Sequence, residues 1–319
     1  MVQEKHKYKN NIITDKIQSH KINNWFNKKG WSFYDYQIKA LQAISQNKDI
    51  LITSPTGSGK TLAGLLPTIL ASDKFKKNNL YTIFISPLKS LSYDIERNLL
   101  IPINECDLNL TISVRTGDTT AYTKTKQIEK PPNILVTTPE SFALLMSYKN
   151  AEEYFSNLKY LIIDELHNII HSKRGDLLAL NIARLNEIAP NHNKIALSAT
   201  LKDIKTGLAY FSNKKKSEVI KSLKNKKLSV SIIKTAKNIP WSGYMATYAI
   251  KNIYNNILKH KSTIIFVNTR AQAEVLFQSL WKINKDKLNI AVHHGSLEKK
   301  LRIKIEQKMF RGLLNCILA

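Results

Sequence analysis

The chemistry in this sequence starts at Ser54-Pro55-Thr56-Gly57-Ser58-Gly59-Lys60-Thr61, which follows the apolar run Ile50 to Thr53 and opens a helical pattern at Leu62. Glycines let backbone amides close around phosphate oxygens, a helix N-terminus adds partial positive charge, and Lys60 is long enough to reach terminal phosphates. Thr61 supplies a hydroxyl for Mg²⁺. The strict phosphate-loop pattern has Gly where Ser54 stands, so the match is imperfect there. A plain glycine turn is the competing reading, and the strand-loop-helix context weighs against it. Further on, Leu161-Ile162-Ile163-Asp164-Glu165-Leu166-His167 ends an apolar run in two carboxylates. Asp164 can hold Mg²⁺ through water, and Glu165 can orient a water molecule and take its proton. Alone, the acidic pair reads equally as a helix N-cap with acid in a favourable first turn. Ser198-Ala199-Thr200 closes another such run with two small hydroxyls. By itself it is indistinguishable from a capping serine; its place after the other two segments gives it weight.

These groups need a frame that brings them to one edge. Short apolar runs at Asp49–Ser54, Thr82–Ser86, Asn133–Thr137, Tyr160–Asp164, Lys194–Ser198, Ser262–Asn268 and Asn289–His293 alternate with longer helical patterns. Continuous apolar strands separated by helices predict an α/β protein with parallel βαβ units and ligands at the carboxyl ends of the strands. Between Ser212 and Lys237 the composition turns basic, with Lys214, Lys215, Lys216, Lys221, Lys224, Lys226 and Lys227 against the one acid Glu218. This reads as the passage between two domains, with a solvated helix and loop of the first domain as the alternative for its first half. No internal repeat stands out.

At 319 residues the chain has room for two α/β domains, or for one and part of another. Apolar residues make up 43% and charged residues 23%, a globular rather than disordered composition. The formal charge of +25 suits phosphate-bearing partners through counterion release. Only seven of the 49 basic residues are arginine, however, and a lysine-, asparagine- and isoleucine-rich composition also arises from A/T-biased coding. Cys106 and Cys316, the only cysteines, stand far apart and suggest neither a disulfide framework nor a cysteine-based metal site. Met1–Asn24 has no apolar core segment, and no run approaches the length of a membrane span, so a cytoplasmic protein with no membrane partner is expected.

Several stretches in order carry a resemblance. They are Trp25-Phe26, Gly30-Trp31 and Tyr36-Gln37; the phosphate loop; Ile85-Ser86-Pro87-Leu88-Lys89-Ser90-Leu91; Arg115-Thr116-Gly117-Asp118-Thr119; and Thr137-Thr138-Pro139-Glu140-Ser141. Asp164 to His167 follows, with Ser172-Lys173-Arg174-Gly175-Asp176, Ile239-Pro240-Trp241, Phe266-Val267-Asn268-Thr269-Arg270 and His293-His294-Gly295-Ser296. From about Trp25 to the last residue the chain resembles superfamily 2 DEAD/DEXH-box helicases, most closely the Lhr group and its DNA ligase-associated DEXH-box branch.

The resemblance implies a RecA-like ATP-binding domain over residues 25–235, a basic extension over 1–24, and a partial second RecA-like domain over 236–319. It implies ATP and Mg²⁺ as cofactors. Gln37 would read the adenine edge, Thr56, Gly57, Ser58, Gly59, Lys60 and Thr61 would hold nucleotide, and Lys60, Asp164 and Glu165 would be catalytic, with Thr61 and Asp164 at the metal. Pro87, Lys89, Arg115, Thr116, Gly117, Thr138 and Pro139 would hold the backbone of single-stranded nucleic acid, DNA rather than RNA. Asn268, Thr269, Arg270, Gly295 and Ser296 would add the second domain's share. His167, Ser198 and Thr200 would couple the two ligands.

The family continues past a strand like Asn315–Ala319 into a Thr/Ser-rich and then a glycine-arginine segment, so the chain is expected to be truncated there, with an unpaired strand edge near Asn315–Ala319. A self-sufficient motor, a non-catalytic binder of ATP and nucleic acid, and half of a split helicase completed by a second chain are the readings this leaves.

Overall fold

The computed structural model describes residues 15, 17–199, 201, 203–212, 216–222, 229–233 and 245–319, with Lys299 in backbone only. Thr200, the Ile239-Pro240-Trp241 segment, residues 1–14 and 16 of the basic extension, and Lys214, Lys215, Lys224, Lys226 and Lys227 lie outside the described residues. The chain falls into two compact units, Met1–Lys226 and Lys227–Ala319.

The first unit is built on parallel strands β1 (Asp49–Thr53), β2 (Thr82–Ile85), β3 (Ile112–Arg115), β4 (Ile134–Thr137), β5 (Tyr160–Ile163), β6 (Asn193–Ser198) and β7 (Ser217–Lys221). Their order across the sheet is β3-β4-β2-β5-β6-β1-β7. The interior strands are apolar at consecutive positions because helices cover both faces. Ile50 and Ile52, Phe84, Ile134 and Val136, Ile162, and Ile195 and Leu197 enter one core. Their neighbours Leu51, Ile83 and Ile85, Leu135, Leu161 and Ile163, and Ala196 enter the other. The first core is roofed by helices from the first third of the chain, Lys21–Lys28, Asp35–Ser45, Lys60–Ile69 and Lys89–Glu105. The second is roofed by later helices, Pro139–Met146, Ala151–Phe155, Lys173–Ile188 and Ile204–Phe211 among them. Strand ends are aligned: Thr53 pairs with Ser198, and Ile85 with both Thr137 and Ile163. The loops after β1, β2, β3, β4, β5 and β6 therefore leave from one edge, where ligands of open α/β sheets collect.

Two strands carry no continuous apolar run, and both are edges. β3 (Ile-Ser-Val-Arg) and β7 (Ser-Glu-Val-Ile-Lys) each have one side open, and their burial is partial. Within the first half of the basic passage, Ser217–Lys221 is thus a strand hydrogen-bonded to β1 and not part of a solvated helix. Lys48 anchors it through an ion pair of 2.7 Å to Glu218.

The second unit holds β8 (Thr263–Ile265), β9 (Ile290–Val292) and β10 (Cys316–Leu318), all parallel, in the order β8-β10-β9. The expected open edge at Asn315–Ala319 is therefore absent: β10 lies in the middle, paired on both sides. The chain passes over β9 and inserts its last described strand between the two earlier ones, leaving β8 and β9 as edges. Cys316 and Leu318 enter a core with Ile257, Leu276 and Leu280, while Ile317 enters a smaller one with Ile305 and Leu314. On β8 and just after it, Ile264 and Phe266 remain exposed.

Candidate functional site

The phosphate loop turns through two left-handed glycines, Gly57 (φ 72°) and Gly59 (φ 87°), conformations that cost a side chain-bearing residue about 1–3 kcal/mol. Gly59 is also the N-cap of the helix Lys60–Ile69, so the amides at the start of that helix point into the loop. Lys60 is buried, and its Nζ donates to the Ser54 carbonyl at 2.8 Å, spanning the loop from inside. The Ser58 hydroxyl donates to the Pro55 carbonyl at 2.6 Å and meets the Ser54 hydroxyl. Ser54, where the strict pattern has Gly, thus takes part in closing the loop. Helix Asp35–Ser45 buttresses it: the Tyr36 hydroxyl donates to the Ser58 carbonyl at 2.8 Å, and Gln37 Nε2 to the Gly59 carbonyl at 3.3 Å.

Beside the loop is a cavity of about 380 Å³, lined by Phe33, Tyr34, Tyr36, Thr56, Lys221 and Ser222 among others. Its volume falls in the range of small-molecule sites. Gln37 does not line it. The side chain is 2% exposed, and its Oε1 accepts from the Tyr34 N–H at 2.9 Å.

Across the edge, after β5, Glu165 adopts a left-handed backbone (φ 46°), a strained state for a residue with a side chain. Its N–H donates to Asp164 Oδ1 at 2.9 Å. The turn brings Glu165 Oε2 to 3.4 Å from His167 Nδ1, and the same nitrogen lies 3.1 Å from the Ser198 hydroxyl. Ser198 is tied to the loop in turn, its carbonyl accepting from Ser54 N–H at 3.1 Å. Asp164, Glu165, His167 and Ser198 therefore form a chain of polar contacts ending on the strand that carries the phosphate loop. Burial, reinforced by Glu165, raises the Asp164 carboxyl to about 6 against the opposing pull of its hydrogen bond and of Lys60. Burial lowers the Lys60 ammonium, and Glu165 and Asp164 oppose that fall. The arrangement is a desolvated cation facing two carboxylates, with charge imbalance left for a ligand to correct.

A divalent cation fits this donor set. Mg²⁺ is held by one or two carboxylates and substrate phosphates rather than by an all-protein cage, and no cluster of three or more His, Cys, Asp or Glu occurs among the described residues.

The candidate strand-binding residues divide into exposed and inward-turned. Lys89 opens the helix Lys89–Glu105 and pairs with Asp118 at 2.6 Å, joining the Pro87 loop to the exposed tip at Gly117. Arg115, by contrast, is 2% exposed: it donates to the Lys124 carbonyl at 2.9 Å and to the Tyr148 hydroxyl at 2.8 Å. Thr116 is buried, its N–H donating to the Thr119 hydroxyl and its own hydroxyl accepting from Asp118 N–H. Both shape the loop from within. Thr138 N-caps the helix Pro139–Met146, with Pro139 at its first position, where a missing N–H costs nothing. In the second unit, Thr269 caps the helix Arg270–Lys282, the Asn268 N–H donates to Gln272 Oε1 at 3.0 Å, and Arg270 bonds the Ser296 hydroxyl beside Gly295. That contact ties the loop after β8 to the loop after β9 at the carboxyl edge of the second sheet.

Comparison with known proteins decides the family. Residues 34–206, more than half of the chain, match the DEAD/DEAH box helicase family model. The chain belongs to this family. Among its relatives, the ATP-dependent helicase Lhr-Core of Methanothermobacter thermautotrophicus is 33% identical over 93% of this chain and 37% of its own length. Lhr-Core of Sulfolobus acidocaldarius is 36% identical over 92% of this chain and 36% of its own length. The chain thus spans little more than a third of the relatives it matches. Among solved structures, Mycobacterium smegmatis helicase Lhr bound to ssDNA and AMP-PNP superimposes with a TM-score of 0.77 at 29% identity, covering 94% of this chain and 41% of that one. The two units of this chain are accordingly RecA-like.

Three features of the site are not legible in the sequence. Lys221 and Ser222 reach the cavity from β7, far from the loop in the chain. Gly175 is fixed by crowding: a Cβ there would lie 2.2 Å from the Ile169 carbonyl oxygen. Glu140 is held by Arg174, which approaches it with two nitrogens and so links the helix capped by Thr138 to the helix Lys173–Ile188. The pairing of Glu140 with Arg174 is visible only in three dimensions; Gly175 stands in the Ser172–Asp176 stretch, whose spacing gives no sign of the crowding, and Lys221 reads in sequence only as part of the basic passage.

Proposed function

We propose that this chain binds ATP with Mg²⁺ at the Lys60 loop and couples its hydrolysis to tracking along single-stranded DNA. The carrying observation is the polar chain from Asp164 through Glu165 and His167 to Ser198, joined by Ser54 to Lys60, beside a cavity of about 380 Å³. Support comes from the likeness to the mycobacterial Lhr structure, which holds ssDNA and AMP-PNP.

In this reading Lys60 leaves the Ser54 carbonyl for the terminal phosphate, and amides at the start of its helix take the neighbouring oxygens. Phe33, Tyr34 and Lys221 enclose the base. Gln37 acts through the loop: it reports the position of Gly59 to Tyr34 at the cavity wall. Glu165 orients a water molecule and accepts its proton at the carboxylate, and its strained backbone holds that carboxylate beside His167. Thr61 and Asp164 would hold Mg²⁺, which neutralises phosphate charge when bound. His167 and Ser198 relay the change to β1 and β6. Thr200 is assigned to the same relay by its place in the sequence.

Lys89, Gly117, Thr138 and Pro139 line the strand path in the first unit, with Pro87 beside them and Arg115 and Thr116 as the supports that set the loop. Asn268, Thr269, Arg270, Gly295 and Ser296 form the second unit's share. Contacts of this kind go to the backbone and carry little sequence information. We place the domain boundary at 235/236, and the protein in the cytoplasm.

The test is ATP turnover by the 319-residue chain with and without single-stranded DNA. Turnover stimulated by DNA, reduced about 10²- to 10⁴-fold in Glu165→Gln while nucleotide still binds, is the expected result. Tight ATP binding with no turnover would instead make the chain a binder that needs a second chain for catalysis.

A further inference from the structure

The helix Ala121–Glu129 follows the Arg115–Thr119 loop and carries features that the nucleotide chemistry leaves unused. Thr120 caps it, accepting from the Thr123 N–H at 3.2 Å, and no acid stands in its first turn to offset the positive end. Arg115 grips the inner side of this helix through the Lys124 carbonyl and the Gln127 side chain, which fixes the outer side in orientation. There Tyr122 is 67% exposed, and Lys126, one turn further on, holds its Nζ 4.5 Å from the ring centroid. Lys124 donates to the Gly117 carbonyl at 3.3 Å, and Lys89 reaches the same loop tip through Asp118. A lone exposed tyrosine needs no explanation. Here the ring lies against Lys126, Lys89 and Lys124 converge on the adjoining loop tip at Asp118 and Gly117 with Asp118 already paired, and the helix is continuous in the chain with the loop assigned to the strand.

We infer that Tyr122 is a stacking platform for one base of the single strand that passes Gly117, with Lys126 seated against an adjoining phosphate. The inference rests on the strand-tracking reading above and extends its path along the helix beyond the matched segments. Every base has a π-face, so stacking adds affinity without selecting sequence. The lysines supply the salt-dependent part, and the ring supplies a part that salt does not touch. An acidic polypeptide would engage the lysines alone, which separates the two partners experimentally.

The experiment is fluorescence anisotropy of a labelled oligothymidylate with the full chain and its Tyr122→Ala, Tyr122→Phe and Lys126→Ala variants over a range of salt, with nucleotide affinity measured on each as the control for folding. Tyr122→Ala should bind about 5- to 150-fold more weakly with an unchanged salt slope, and Tyr122→Phe should stay within about twofold of the parent. Lys126→Ala should flatten the slope of log affinity against log salt by about 0.7. Salt-dependent binding that ignores Tyr122→Ala, or a Tyr122→Phe variant as weak as Tyr122→Ala, overturns the platform and leaves strand tracking intact. No binding by the parent chain overturns both.

Discussion

Asp164 should be a residue whose charge destabilises the protein that carries it. Its carboxyl is raised from 3.8 to about 6, chiefly by burial and then by Glu165. An acid raised in the folded state resists ionisation there. Below its unfolded value both states are protonated and nothing is lost; as pH climbs through the interval the unfolded state ionises first, and above about 6 the full penalty stands. At 1.36 kcal/mol per pH unit that penalty is about 3 kcal/mol near neutrality, roughly half as large near pH 5 and well below about 1 kcal/mol near pH 4. Asp164→Asn removes the charge and keeps an oxygen to accept the Glu165 N–H, now at 2.9 Å. The variant should therefore be more stable than the parent by up to about 3 kcal/mol near pH 7.5, with the gain shrinking steadily as pH falls. For a unit of this size each kcal/mol moves the midpoint by roughly 2–4 °C. Thermal and urea unfolding of both proteins, without nucleotide or divalent ions and followed at several pH values, measures the difference. A variant no more stable than the parent near neutrality, or a gain independent of pH, would refute the reasoning that Asp164 is held against its charge for a ligand to neutralise.

Gly175→Ala should lose about 1–3 kcal/mol despite alanine's better helix propensity, because the new Cβ meets a backbone oxygen that cannot swing aside; a melting midpoint equal to the parent's would show that helix Lys173–Ile188 can slide. Mild proteolysis should leave a resistant fragment that ends after Lys221 and before about residue 240, since β7 is hydrogen-bonded to β1 and the second unit has only three described strands to bury. ATP with Mg²⁺ at 100 times its Kd should protect that fragment by about 2.7 kcal/mol. A cut between β6 and β7, or resistance extending through Ala319 in the chain alone, contradicts this order of stabilities.

What the sequence disclosed follows from where each residue sits in the sheet. Interior strands are apolar at every position because both faces are covered, so β1, β2, β4, β5 and β6 stand out as runs, and with them the loops at their carboxyl ends. The edge strands β3 and β7 need only partial burial, so Ser113, Glu218 and Lys221 break their runs, and β7 reads as basic linker. The same cause hid the far wall of the cavity, since Lys221 and Ser222 matter only once β7 lies beside β1. Residue type places Lys60, Asp164 and Glu165 at a phosphate site, but type cannot show that Arg115 turns inward to Tyr148 or that Gln37 faces Gly59. Position of β10 was misjudged for a topological reason: order along the chain suggests a new edge, whereas the strand inserts between β8 and β9.

The central claim is that the Lys60 loop holds the phosphates of a nucleotide, and calorimetric titration of ATP with Mg²⁺ into the full chain and into Lys60→Ala tests it most directly. Removing a buried, bonded cation from its charged partner costs about 2–5 kcal/mol, so the variant should bind at least about 30-fold more weakly. Equal affinity in the two proteins would contradict the assignment of this loop and of the motor built on it.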